Sequence, residues 1–223
     1  MSLRSVALSI PVAFAVALMA CGAAAEPRTS PPDGVTGPSG IEASASQGEH
    51  EVALLAGGCF WCLESAYDGK PGIIEAVSGY AGGSTTHPAY KEVGRGGTGH
   101  TEVVRVVYDP KVLSYEDVLT TFWHNIDPLD GGGQFCDRGD MYRPGVFPMD
   151  ADQTSRAQAS AKAISTQLGK ELKAKIEPPA VFYRAEEYHQ DFHLKEPVHY
   201  QRYRLGCGRD ARLVQIWGEQ AGH

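Results

Sequence analysis

Apolar positions along this chain fall into short blocks separated by glycine, proline and polar punctuation, the pattern of alternating strands and helices. Residues 52–56 (Val-Ala-Leu-Leu-Ala) read as a short buried strand, and Gly57-Gly58 turn the chain sharply out of it. Leu63, Glu64, Ala66 and Tyr67 then continue as a helix, which Gly69 and Pro71 stop. Residues 73–80 form a second strand before Gly82-Gly83, and residues 87–93 a short turn or helix carrying Tyr90. Thr101–Tyr108 (TEVVRVVY) is the clearest strand, rich in β-branched residues and ended by Asp109-Pro110. Ser114 caps the next helix, with Asp117 in the capping-box position and Val118, Leu119, Phe122 and Ile126 on its apolar face.

Residues 127–143 show no periodicity. They contain three consecutive glycines with Cys136, Asp137, Asp140, Tyr142 and Arg143, and a polar loop this long is functional or disordered. Beyond it lie a brief strand at 145–147, an Ala- and Gln-rich helix at 150–170 and a short strand at 181–183. A turn of helix is expected within 185–194, and the remainder to Trp217 is mixed. The pattern predicts one α+β domain over residues 49–218, a mixed or antiparallel sheet flanked by helices, with a tail at 219–223.

The first residues do not fit that domain. Arg4 supplies a positive end to the apolar segment 6–20, which is too short for a stable membrane span and reads as a signal segment over 1–25. Two processing readings stay open. Ala23-Ala24-Ala25 is a small-residue cleavage site, whereas Leu18-Met19-Ala20-Cys21 resembles a lipobox that would make Cys21 a lipidated terminus. Either places the domain outside the cytosol, in the periplasm or cell envelope. Residues 26–48, rich in Pro, Gly and Ser, read as a flexible linker.

Composition narrows the function. At 223 residues, the chain supports one well-packed domain plus extensions, expected to act as a monomer. A net charge of −7 without a basic stripe argues against a nucleic-acid surface. Five cysteines are too few for a disulfide scaffold of this size, which leaves thiols free for chemistry. Cys59 falls at a helix N-terminus, where unpaired backbone N–H groups and the dipole favour a thiolate. Cys62 lies one helical turn away, within reach of it. This is a reactive nucleophile with a resolving partner.

Seven ordered blocks then carry a resemblance. They are GCFWCLE at 58–64, the Gly79-Tyr80 and Gly82-Gly83 pairs, HPAYKEV at 87–93, GHTEVVRVVYDP at 99–110, FWHNIDP at 122–128, QFCDRGDMYRPGVF at 134–147 and AEEYHQDF at 185–192. From about residue 52 to 217 the chain resembles peptide methionine sulfoxide reductase A, which reduces the S-epimer of methionine sulfoxide. The resemblance implies Cys59 as nucleophile and Glu102 as the acid that protonates the sulfoxide oxygen. A carboxyl buried beside aromatics stays protonated near neutral pH, as that role requires. Tyr90 and Tyr142 match the tyrosines that hydrogen-bond the oxygen, and Phe60 and Trp61 the aromatic wall against the substrate methyl. Asp137 matches a polar residue of the substrate pocket.

Attack on the sulfoxide would leave Cys59 as a sulfenic acid, which a second thiol converts to a disulfide for a thioredoxin-like dithiol to reduce. Cys62 is the nearer resolver. Cys207, in LGCGRD, is a second candidate relay, and Cys136 reads as a small buried prop for its loop. No bound cofactor or metal is expected, and substrates would be oxidised proteins or free methionine sulfoxide. His189 and His193 stand four apart, as metal ligands can, but without an evident third ligand. The competing reading is an exported thiol–disulfide exchange module, for which the Phe-Trp pair, the tyrosines and Glu102 have no use.

Overall fold

A computed structural model describes residues 45–222. The signal segment, Cys21 and most of the linker lie outside the described residues. In chain order the strands are β1 (Ser46–Gln47), β2 (His50–Ala56), β3 (Ile73–Ala81), β4 (Thr101–Tyr108), β5 (Gly133–Gln134), β6 (Asp137–Arg138), β7 (Gly145–Val146), β8 (Lys175–Ile176) and β9 (Tyr183–Arg184). The helices are α1 (Phe60–Tyr67), α2 (Tyr90–Arg95), α3 (Tyr115–His124), α4 (Ala151–Leu168), α5 (Phe192–Lys195), α6 (Pro197–Gly206) and α7 (Arg209–Trp217). Among the described residues no helix is long and apolar enough to cross a membrane.

The sheet is mixed, in the order β8-β7-β2-β4-β3-β9, with β1 also on β2. Only the β7–β8 pair within it is parallel. Strand β4 is buried along its whole length and pairs on both sides, which is why its sequence is so rich in valine. Alternation sends Val104, Val106 and Tyr108 into the main core beside Leu63, Phe122 and Trp123. Val103 turns to the opposite face, where it meets Leu54, Val77, Phe147 and Phe182. Glu102 shares the parity of Val104 and so lies on the α1 side.

Several local expectations reappear as tertiary structure. Ser114 and Asp117 form a reciprocal capping box at the start of α3. Asp150 caps α4, and Gly169 ends it in the left-handed region. Residues 45–48, read as the end of a linker, pair with β2 as a hairpin. The loop at 127–143 is not irregular throughout: β5 and β6 pair across it, and Asp140–Tyr142 form a 3-10 turn. The mixed region after 191 is helical, as α5, α6 and α7. Residues 219–222, set apart as a tail, are tied in by a 3-10 turn and a bond from the Gly222 N–H to the His124 carbonyl, 2.8 Å.

Two devices fix where α1 begins. Gly58 has φ +78°, and a Cβ there would lie 2.5 Å from Gln134 Cβ, so this turn accepts only glycine. Gln134 cannot yield, because its buried amide accepts from the Asp127 N–H and donates to the carbonyls of Asp127 and Gly133. Further along the helix, the fully buried Glu64 accepts from the Ser78 hydroxyl at 3.0 Å and the Asp191 N–H at 3.2 Å. Gln190 reinforces the same seam by bonding both backbone groups of Ser78. Helix, strand β3 and the 185–191 loop are thereby locked together.

Burial pushes the Glu64 carboxyl up to about 7, against the opposing pull of those two hydrogen bonds. The folded state therefore holds a proton that the unfolded chain releases near pH 4.5. That contribution to stability is fully present below pH 4.5 and lost as the pH rises through 7. Urea unfolding should show wild type losing up to about 3 kcal/mol relative to Glu64→Gln between pH 4.5 and 8. A pH-independent difference contradicts this.

Candidate active site

Cys59 occupies the N-cap of α1, and its carbonyl accepts the Cys62 and Leu63 N–H groups. Its side chain opens into a cavity of about 310 Å³ lined by Cys59, Phe60, Trp61, Tyr90, Glu102, Asp137, Tyr142, His199 and Tyr203. Seven of these nine residues were expected from the sequence. They come from four separate parts of the fold: the start of α1, the start of α2, the start of β4, and the 137–142 segment facing α6.

Glu102 reaches under the first turn of α1, and its Oε2 accepts the Phe60 N–H at 2.9 Å. The residue is 2% exposed. Burial drives its carboxyl well above the usual range, and the Asp137 charge adds to this, while the Phe60 hydrogen bond opposes it. Burial therefore favours its neutral, protonated form. With Oε2 held by the backbone, Oε1 is left to carry the proton.

The two tyrosines frame the opposite side. Tyr90 opens α2, and its backbone N–H donates to Glu186 Oε1 at 2.8 Å. Glu186 also accepts the Tyr80 hydroxyl, so one carboxylate ties α2 to the sheet. Tyr142 ends the 3-10 turn and its hydroxyl interacts with that of Tyr90. Burial raises both phenols, so both remain hydroxyl donors.

Trp61 is held from several sides. Its ring stacks on Phe192 at 3.7 Å and 9°, meets Tyr203 edge-on, and its Nε1–H donates to His189 Nδ1 at 3.1 Å. His189 also packs on Phe60 and Tyr90. Burial lowers it to about 4, which leaves the ring neutral and able to accept that bond. His189 and His193 therefore part company: His193 pairs with Asp68, 3.3 Å away. Their helical spacing does not make a shared ligand pair.

The thiols behave as a pair. Cys59 and Cys62 are 6% and 1% exposed, and the Cys59 thiol hydrogen-bonds to Cys62. That bond lowers Cys62 to about 6 against the effect of burial, with help from Arg209 and Arg204. Burial and its partner's charge push Cys59 up. Hydrogen bonding between the two thiols thus favours a single early ionisation shared by the pair. Arg209, fully buried, anchors to the Asn125 carbonyl at 2.5 Å and adds a smaller favourable charge for the Cys62 thiolate. Cys59 still has a proton acceptor one hydrogen bond away.

Two findings correct the sequence reading of the remaining cysteines. Cys136 is not a buried prop. It is exposed, and it forms a disulfide with Cys207, Cα–Cα 4.8 Å. Cys207 is therefore already partnered in this state rather than standing free as a resolver. Among the described residues, the free thiols are Cys59 and Cys62.

Tyr203 was missed altogether. Its hydroxyl donates to Asp137 Oδ2 and also interacts with Cys59. It thus joins the pocket carboxylate to the nucleophile. His199 and Arg209 were missed as well. The one available hint was the density of aromatic and histidine residues between 188 and 203, which has no simple period.

The comparisons agree with this geometry. The family model for peptide methionine sulfoxide reductase matches residues 51–221. Peptide methionine sulfoxide reductase MsrA 2 of Caulobacter vibrioides is 42% identical over 207 residues, covering 93% of this chain and 97% of its own. A Listeria monocytogenes MsrA is 46% identical over 169 residues, 75% of this chain and 96% of its own. Among solved structures, methionine sulfoxide reductase A of Corynebacterium diphtheriae superposes with a TM-score of 0.65 at 29% identity, covering 69% of this chain and 78% of its own. Reduced Mxr1 of Saccharomyces cerevisiae gives a TM-score of 0.64 at 30% identity, covering 69% and 90%. With the family model spanning most of it and relatives at 42–46% identity, the chain belongs to the peptide methionine sulfoxide reductase family.

Proposed function

We propose that this site reduces methionine S-sulfoxide, free or within proteins, with Cys59 as nucleophile and Glu102 as acid. The substrate methyl rests against Phe60 and Trp61, whose rings are already fixed by Phe192 and His189. The sulfoxide oxygen turns toward Glu102, Tyr90 and Tyr142. Cys59 Sγ attacks the sulfur as its proton passes to Cys62, and Glu102 protonates the oxygen. The hydroxyl passes from the substrate sulfur to Cys59 Sγ as the S–O bond and the new Sγ–S bond both break, so methionine leaves and Cys59 is left as a sulfenic acid. Cys62 then attacks Cys59 Sγ, water departs, and the Cys59–Cys62 disulfide remains. A thioredoxin-like dithiol restores the two thiols.

The observation that carries this reading is the buried neutral carboxyl of Glu102, bonded to the first N–H of the helix that presents Cys59. A thiol-exchange module has no need of that proton. Glu102→Gln should lower kcat/KM for methionine sulfoxide by about 10²–10⁴-fold while exchange with a small disulfide persists. In wild type, activity should fall as rising pH ionises Glu102, and the variant should lack that alkaline limb. Equal loss of both activities, or of neither, contradicts the assignment.

The charged, apolar and small-residue order of residues 4–25 supports action outside the cytosol, with or without lipid on Cys21. Mass analysis of the mature protein from cell fractions should find it in the envelope, starting at Cys21 or Glu26. An unprocessed cytosolic chain beginning at Met1 contradicts this.

A further inference from the structure

Cys62 has two hydrogen-bond partners with different fates in the cycle. The first is the Cys59 thiol, whose bond contributes most to lowering Cys62. The second is the hydroxyl of Tyr200, which packs with Cys62 and Phe192 and bonds the Cys62 sulfur from α6. Oxidation of Cys59 to the sulfenic acid removes its thiol at the stage when Cys62 must attack as a thiolate. Tyr200 is untouched by that oxidation and still faces the sulfur.

Two neighbours set the direction of that hydroxyl. Arg204, one helical turn along α6, donates from Nη1 to the Tyr200 oxygen at 3.1 Å. Asp210 holds the guanidinium in turn, 2.8 Å from Nε and 2.6 Å from Nη2. On the other side, Ser65 Oγ lies 2.6 Å from the Tyr200 hydroxyl and donates to the Cys62 carbonyl at 3.0 Å. With Arg204 on one lone pair, the phenol has two uses for its single proton. Turned to Ser65, it leaves its other lone pair for the Cys62 thiol. Turned to Cys62, with Ser65 donating to it instead, it meets a thiolate. Both Tyr200 and Arg204 are buried, so water does not compete for these bonds.

We propose that Tyr200 is a catalytic residue of the resolving step, its hydroxyl donating to the Cys62 thiolate as that sulfur attacks the Cys59 sulfenic acid, with Arg204 as its positioning residue. This rests on the proposed reductase activity. The Cys59–Cys62 S–S bond forms as the Cys59 S–O bond breaks. The Cys59 sulfur is reduced and the Cys62 sulfur oxidised. The proton given up by the Cys62 thiol ends on the departing hydroxyl, which leaves as water. The charged and titratable groups facing Cys62 are Cys59 at the start of α1, Glu102 of β4, Tyr200, Tyr203 and Arg204 of α6, and Arg209 of α7.

Tyr200→Phe keeps the ring and removes the donor. Wild type and variant, each with Cys136 and Cys207 bridged, are mixed with equimolar methionine-S-sulfoxide peptide and quenched over time. Methionine, the Cys59–Cys62 bridge and Cys59 sulfenic acid captured by a 1,3-dione are each counted. The variant should release methionine at close to the wild-type rate, which also reports that it folds. Its bridge should close about tenfold more slowly near neutral pH, with sulfenic acid accumulating on Cys59. That deficit should shrink as the pH rises, because base then ionises Cys62 without the help of Tyr200. Arg204→Gln, which releases the hydroxyl from its orienting donor, should show a weaker form of the same pattern. Closure at the wild-type rate, a deficit that pH does not change, or no sulfenic acid accumulating in either variant overturns the role of Tyr200 and leaves the reductase reading intact. No methionine from wild type overturns the reductase reading and the role of Tyr200 with it.

Discussion

The hydrogen bond from the Phe60 N–H to Glu102 joins two residues 42 positions apart and sets the chemistry of the whole cavity. A helix N-terminus needs acceptors for its free N–H groups, and a carboxyl deep in a core needs donors. Each meets the other's need here, and both are removed from water by α1 lying over β4. The consequence is an acid that remains protonated next to a nucleophile, with its direction fixed by the strand that bears it. Everything that fixes α1 therefore acts on catalysis at one remove. Gly58 closed against Gln134, and Glu64 pinned between Ser78 and Asp191, keep that first turn on the carboxyl.

Charge in the site is divided rather than concentrated. The two thiols share a single early ionisation, biased inward by Arg209 and Arg204. Glu102 stays neutral, and His189 stays neutral as an acceptor for Trp61. A neutral acid beside polar hydroxyls suits the dipolar sulfoxide of the proposed reaction. In the proposed cycle the inner thiol that accepts the Cys59 proton is also the one that later closes the disulfide.

Much of this was legible in the sequence wherever the cause was local. Strand β4 declared itself through β-branched residues, α3 through its Ser114–Asp117 box, and Cys59 through a Gly-Gly turn leading into a helix. Family-spaced blocks located Glu102, Tyr90 and Tyr142, which the fold then gathers into one cavity. What stayed hidden depends on contacts distant in the chain. Trp61 finds His189 at a separation of 128, and Cys136 finds Cys207 at 71. Tyr203 lies on α6, whose inward positions 200, 203, 204 and 207 keep a helical period but carry Tyr, Tyr, Arg and Cys, so no apolar stripe marks them in the sequence. The arginines of α6 and α7 that lie near Cys62 were equally out of reach, since they arrive from more than 140 residues along the chain.

The central claim is that Cys59 attacks the sulfoxide and Cys62 resolves the product, and trapping tests it most directly. A Cys62→Ser chain with Cys136 and Cys207 bridged, as in the structure, keeps Cys59 as the free thiol of the described residues. Mixed with methionine-S-sulfoxide peptide and a 1,3-dione trap, it should release one methionine per chain and carry the sulfenic adduct on Cys59. Methionine released without modification of Cys59, or an adduct on any other residue, contradicts the account.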